Sequence, residues 1–110
     1  HEFIIYSIKG DVKRKFSASD RDVWRIKPIN FTSKNKLHNA EKPIELVSKM
    51  IQNSSVEGDI VLDTFMGSGT TAVACINTKR NYIGFEIDEN YYSIAINRIK
   101  DTMSEPKLAL

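Results

Sequence analysis

The sequence contains one cysteine, Cys75, among its 110 residues. A single thiol excludes an internal disulfide and a cluster of metal-binding thiolates, so no metal site is predicted. Its place in the apolar run AVACI favours a buried small side chain over a reactive thiol. No apolar run approaches the length of a membrane span, and no signal peptide is recognisable. These features predict a reducing, cytoplasmic setting.

Proline is also scarce, with residues at positions 28, 43 and 106 and no two adjacent. The length allows at most one ordinary domain. The chain begins at His1, and EFIIYSI immediately after it has the composition of a strand buried on both faces. We therefore expect the sequence to be a piece of a longer protein.

The net charge of +2 conceals an asymmetry along the chain. Residues 1–42 contain ten Lys/Arg and five Asp/Glu, whereas the remainder contains six and nine. A basic first part suggests a polyanionic partner and an acidic second part suggests a cationic ligand. An ordinary solvated surface is the simpler interpretation of the charge counts taken alone.

The periodicity of the second half predicts alternating strands and helices. Pro43 is expected to open a helix on which Ile44, Val47, Met50 and Ile51 share a face. The predicted elements that follow are a strand at 60–62, a helix at 70–77, a strand at 82–86 and a helix at 90–103. This order describes a βαβ unit with one further helix, in which ligands bind at the carboxyl ends of the strands.

The stretch LDTFMGSGTT joins the first of these strands to its helix. Gly67 to Ala72 satisfy the pattern G-x-G-x-x-G/A, which is weak alone but gains strength between a strand and a helix. Glu86 ends the next predicted strand, where a carboxylate can accept both hydroxyls of a ribose. A nucleoside-containing ligand is therefore favoured over a tight turn without a ligand.

Electrostatics distinguish two such ligands. A dinucleotide places a pyrophosphate at the helix amino terminus, and Asp63 at the mouth of the turn would repel it. S-adenosylmethionine (SAM) has no phosphate but carries a sulfonium and an ammonium group, which Asp63 could bind. No lysine follows the second glycine, which argues against a Walker loop. Asp63 thus favours SAM.

Three segments together resemble the carboxy-terminal half of bacterial DNA amino-methyltransferases that modify adenine N6 or cytosine N4. They are LHNAEKPIELVSKMI, GDIVLDTFMGSGTTAVAC and RNYIGFEIDENYYSIAINRI, and the likeness covers residues 36–100. Thr64 and Asn39 depart from it, since the family usually has proline at both positions. The resemblance implies an α/β, partial Rossmann-like SAM-dependent methyltransferase fold, a parallel sheet fragment with one antiparallel strand.

The resemblance also implies the division of the chain and the roles of its residues. Residues 1–8 would be a late sheet strand, 9–35 part of the variable target-recognition region, 36–103 the SAM-binding subdomain and 104–110 a tail. Glu86 would take the ribose hydroxyls, and Lys42 has a simple surface cation as its alternative. The full set of cofactor-binding candidates is Asp63, Phe65, Gly67, Ser68, Gly69, Thr70, Glu86, His38, Glu41, Lys42 and Pro43. The basic character of the first part of the chain, rather than the resemblance, gives the DNA-contact candidates Lys13, Arg14, Lys15, Arg21 and Arg25.

The family's catalytic loop, D/N/S-P-P-Y/F/W, is absent because the sequence has no Pro-Pro. In the permuted order that this chain resembles, that loop lies upstream, so no catalytic residue is assigned here. We expect the SAM-binding part of a restriction-modification enzyme acting on double-stranded DNA, with adenine N6 preferred over cytosine N4. A non-catalytic SAM- or DNA-binding module and a dinucleotide oxidoreductase fragment are the alternatives.

The expected partners are DNA, the missing amino-terminal catalytic half, and a second copy of the protein, because an exposed sheet edge favours association. The isolated chain is expected to be inactive. An upstream D-P-P-Y would favour the enzyme over the non-catalytic module, and a comparison of SAM with NAD would test the oxidoreductase.

Overall fold

The computed structural model describes residues 2–10, 23–29 and 41–105. Its elements follow in the order α1 (Ile44–Ser54), β1 (Ile60–Asp63), α2 (Thr70–Asn77), β2 (Asn81–Gly84) and α3 (Glu89–Ser104). The predicted α/β class and the βαβ order are confirmed. Pro43 lies one residue before α1, at its N-cap, rather than at the first helical position.

The two strands run parallel, with Ile60 opposite Asn81 and Asp63 opposite Gly84. The pairing extends past both ends of the ladder, since Asn81 N donates to Asp59 O at 2.8 Å and Phe85 N donates to Asp63 O at 3.0 Å. A parallel pair requires a crossover connection, which α2 supplies. The carboxyl ends of β1 and β2 therefore lie side by side.

One face of this sheet supports the core. Ile51 of α1 and Ala74 and Cys75 of α2 are buried together, and Val61 and Tyr82 of the strands pack against them. Successive strand residues point to opposite faces, so the neighbours of Val61 and Tyr82 point away from the core. The apolar residues of that opposite face are all about half exposed or more, namely Ile60, Leu62, Ile83 and Phe85.

Arg80 forms hydrogen bonds near the amino-terminal ends of the two strands. Its guanidinium donates from Nε to Ser55 Oγ at 3.0 Å, from Nη2 to Ser55 O at 2.8 Å and from Nη1 to Thr78 O at 2.8 Å. These bonds join the end of α1 to the turn between α2 and β2. The half-buried guanidinium is a structural group, at the opposite end of the strands from the glycine turn.

Helix α3 begins where Asp88 Oδ1 accepts a hydrogen bond from Tyr91 N at 2.9 Å. This N-cap satisfies an amide that has no partner within the helix. The predicted apolar face is only partly covered: Ala95 is buried and Ile96 and Ile99 are half-buried, while Tyr92 and Met103 are exposed.

Residues 2–8 differ from expectation, because the structure gives them no strand and leaves Phe3 and Ile5 more than nine-tenths exposed. A strand requires a neighbouring strand, and within the described residues β1 and β2 pair only with each other. The predicted antiparallel strand is thus not formed in the described part of the chain. The domain boundaries proposed from the resemblance remain predictions.

Candidate functional site

The glycine turn connects Asp63 at the end of β1 to Thr70 at the start of α2. Gly67 and Gly69 have positive φ angles of 56° and 89°, which favour glycine. Gly69 N donates to Met66 O at 3.1 Å, and Met66 N donates to Phe85 O at 2.9 Å. The turn is therefore attached to the chain leaving β2 as well as to β1.

Asp63 is bonded within this turn. Its Oδ1 accepts from Phe65 N at 3.0 Å, and its Oδ2 accepts from Thr71 Oγ1 at 2.6 Å. Each carboxylate oxygen can accept more than one hydrogen bond, so the half-buried group keeps capacity for a further donor. Thr71 was not predicted from the sequence, although it belongs to the same TT pair as the predicted Thr70.

Ser68 and Thr70 are buried, with 3% and 7% of their surfaces exposed. Their hydroxyl oxygens accept from Arg98 Nη1 at 3.1 and 3.2 Å. The resemblance made both residues cofactor-binding candidates, and the structure directs their hydroxyls towards Arg98 of α3. Their roles at the cofactor remain predictions.

Arg98 also pairs with Glu41, whose Oε1 lies 3.2 Å from Arg98 Nη1. The Glu41 side chain is 3% exposed and that of Arg98 is 16% exposed. Glu41 is therefore connected to the glycine turn indirectly, because Arg98 pairs with Glu41 and also donates to Ser68. Glu41 was a candidate from the sequence, but Arg98 was not, because it looks like an ordinary helical surface cation in NRIK.

Within the described residues, the remaining candidates from the first part of the chain form no hydrogen bond or ion pair with the glycine turn. Lys42 is exposed, and its Nζ lies 2.7 Å from Glu2 Oε1, which lowers the pKa of that carboxyl through a hydrogen bond and charge attraction. Pro43 caps α1, and its carbonyl accepts from Val47 N at 3.3 Å. Arg25 is exposed. Five candidates fall outside the described residues: Lys13, Arg14, Lys15, Arg21 and His38.

Two further candidates border the turn. Phe65 is 89% exposed, which leaves its ring available to a ligand. Glu86 is half-buried and lies two residues beyond the end of β2. Because Asp63 is opposite Gly84, both acids lie at the same edge of the parallel sheet. The predicted strand at 82–86 ends earlier than expected, so Glu86 belongs to the connection to α3.

The charges at this edge have a consistent sign. Asp63 and Glu86 contribute carboxylates, whereas the nearby cation, Arg98, is paired with Glu41. This distribution favours a ligand with positive charge and disfavours a pyrophosphate. Among the described residues no group of three or more His, Cys, Asp and Glu is arranged to hold a metal ion. No helix in these residues is long and apolar enough to cross a membrane.

Several curated proteins are similar to the chain in sequence. A Type II methyltransferase, M.HpaI of Haemophilus parainfluenzae, is 41% identical over 83 residues, which are 74% of this chain and 26% of that protein. M2.MboI of Moraxella bovis is 32% identical over 101 residues, covering 89% of this chain and 37% of that protein. The chain thus spans between about a quarter and a little over a third of the length of these two relatives.

Two solved structures with bound SAM are also similar to this chain. The M1.HpyAVI–SAM complex matches 58% of this chain and 32% of its own, with 44% identity and a TM-score of 0.57. TTHA0409 of Thermus thermophilus, also complexed with SAM, matches 58% of this chain and 27% of its own, with 33% identity and a TM-score of 0.54. The family model described as DNA methylase matches residues 6–97. The chain therefore belongs to the N6/N4 DNA methylase family.

Proposed function

We propose that the chain forms the SAM-binding part of a DNA methyltransferase that transfers a methyl group to an exocyclic amine. The observation that carries this proposal is that Asp63, which is opposite Gly84 in the strand register, and Glu86, two residues after Gly84, lie at the same sheet edge, beside a turn with two glycines of positive φ. An acidic edge suits a ligand with two cationic groups. The SAM complexes of two structural relatives support the same ligand.

The residues present suit the parts of SAM. Asp63 keeps acceptor capacity for the ammonium group of the methionine part. Glu86 would accept from the ribose hydroxyls, and the exposed Phe65 ring offers an apolar contact. Bound SAM would supply a methyl group on a sulfonium, activated for attack by an amine.

The catalytic part would lie in a longer protein. A D-P-P-Y-type loop, which would hold an extruded base, requires adjacent prolines that this sequence lacks. The open sheet face of Ile60, Leu62, Ile83 and Phe85 supports this view, since parallel sheets are normally covered on both faces. A second part of the same sheet, with its helices, would bury that face.

The substrate is proposed as double-stranded DNA, with adenine N6 preferred over cytosine N4. The relatives named Type II methyltransferases support a place in a restriction-modification system. The basic amino-terminal part, including the exposed Arg25, would contact phosphates.

The proposal is tested by incubating the complete protein with tritiated-methyl SAM and unmodified genomic DNA. We expect label in DNA, and N6-methyladenine after digestion to nucleosides. Label in N4-methylcytosine would retain the enzyme and change the base. SAM binding without any label would favour the non-catalytic module.

A second methyl-transfer assay uses the 110-residue chain alone. It should transfer no methyl group, because positioning of the amine supplies much of the barrier reduction and the chain has no group for it. Adding the amino-terminal part in trans should restore transfer if the two share one sheet. Turnover by the isolated chain would show that the catalytic residues lie within these residues.

A further inference from the structure

We propose that Arg98, neutralised by Glu41, is the positioning residue that fixes the glycine turn for its cofactor, and that Glu41 acts through Arg98 rather than on the ligand. This inference rests on the proposed function as a SAM site. It attributes the backbone conformation of the turn to a contact from Arg98 of α3, which lies 30 residues after Ser68.

The first observation is the peptide unit that joins Ser68 to Gly69. Its carbonyl accepts from Arg98 Nη1 at 3.0 Å, and its N–H donates to Met66 O at 3.1 Å. A peptide held at both polar ends cannot rotate without breaking a bond. Since this peptide sets the backbone direction at Gly69, Arg98 controls how the following amides face the ligand.

The second observation is the close approach of the same helix. A Cβ built on Gly69 would lie 3.0 Å from Ala95 Cβ and 3.1 Å from Ala95 Cα. Ala95 and Arg98 are three residues apart and therefore share a face of α3. The small side chain of Ala95 lets the glycine turn pack closely against α3. The long side chain of Arg98 donates to Ser68 and Thr70.

The third observation is the charge balance. Both side chains of the Glu41–Arg98 pair are largely buried, so removing either partner leaves a buried charge without compensation. A free guanidinium beneath the turn would also repel a cationic ligand. Glu41 thereby keeps Arg98 usable as a hydrogen-bond donor at a site that binds positive charge.

The test uses the complete protein and calorimetric titration with SAM and S-adenosylhomocysteine, which lacks the sulfonium charge. Arg98→Met should weaken SAM binding about tenfold or more, the loss expected from a charge-assisted hydrogen bond. Glu41→Gln should weaken SAM more than S-adenosylhomocysteine. The double variant should bind no worse than Arg98→Met, because Glu41 affects SAM binding only through Arg98 in this proposal.

Arg80→Met is the matched control. It also removes a half-buried arginine that donates three hydrogen bonds, but at the other end of the sheet. It should lower Tm while leaving SAM affinity within about twofold, as expected for a distant, independent site. If Arg98→Met does not fold, Arg98→Lys replaces it in the test, because it keeps the charge that Glu41 balances and should fold, yet still weaken SAM binding.

Two outcomes would overturn this inference for a wild-type protein that binds SAM. If Arg98→Met and Arg98→Lys lower Tm without changing SAM affinity, Arg98 is structural only. If the losses of Glu41→Gln and Arg98→Met add in the double variant, Glu41 contacts the ligand directly. A wild-type protein that binds neither compound would instead overturn the proposed function, and this inference with it.

Discussion

Thr71 Oγ1 donates to Asp63 Oδ2 at 2.6 Å, and this bond ties the end of β1 to the first turn of α2. The same carboxylate accepts the amide of Phe65, so Asp63 organises the turn besides providing its charge. A substitution that removes the charge therefore has to be separated from one that only loosens the turn.

Asp63→Asn keeps a carbonyl acceptor for Phe65 N, its amide can donate to Thr71 Oγ1, and the charge is removed. We expect SAM affinity of the complete protein to fall more than tenfold, since a hydrogen bond to a charged group contributes about 1.5–3 kcal/mol. Thr71→Val is the matched variant that keeps the charge and loses the hydroxyl. It should cost about 1 kcal/mol of stability with a smaller loss of affinity. Equal SAM affinity in Asp63→Asn and wild type would remove Asp63 from the site.

Gly69 and Gly58 provide a matched pair for backbone and packing effects. Their φ angles are 89° and 90°, but a Cβ on Gly58 meets nothing within 4 Å, whereas one on Gly69 meets Ala95. Gly58→Ala should lower the free energy of unfolding by about 1–2 kcal/mol from backbone strain alone. Gly69→Ala should cost about 1–3 kcal/mol more from the overlap. Equal losses in denaturant titrations would mean that α3 does not press against the turn.

Cys75 should be inert in the folded protein. Burial raises the pKa of its thiol above the ordinary value of 9.0, an effect that Arg80 partly offsets and Asp63 reinforces. A thiol reagent at about pH 8 should therefore react slowly until denaturant is added. Because the pKa of the thiol is higher in the folded than in the unfolded state, protonated Cys75 contributes to the free energy of unfolding. This contribution is complete below about pH 9 and declines as the pH rises further. Cys75→Ala should remove that part of the decline, and rapid labelling of native protein would contradict the burial.

The basic segment should make DNA binding depend on salt. Replacing Lys13, Arg14 and Lys15 by alanine should reduce the slope of log affinity against log salt by about one unit for each phosphate that loses its cation. Lys100→Ala, an exposed cation on α3, is the control and should leave the slope unchanged. An unaltered slope in the triple variant would place these residues away from the DNA.

The sequence predicted local features well, because they depend on residues close together in the chain. The bounds of α2 agree at Thr70 and Asn77, since the glycine turn marks its start and its apolar run is continuous. The strand expected at Glu2–Ile8 did not form, because pairing depends on a neighbouring strand rather than on composition.

The parts of the site that were missed depend on contacts between distant residues. Arg98 bonds to residues 28–30 positions away, and no local pattern distinguishes it from a solvated cation. Glu41 was placed near the site through the resemblance, but its partner could not be identified without the fold. The matching of Asp63 with Gly84 likewise required the strand register.

Whether the edge of Asp63 and Glu86 binds SAM is tested most directly by a parallel titration of the complete protein with SAM and NAD. We expect saturable, one-to-one binding of SAM and none of NAD at the same concentrations, because the acidic edge repels a pyrophosphate. Binding of NAD without binding of SAM would contradict the assignment of this edge.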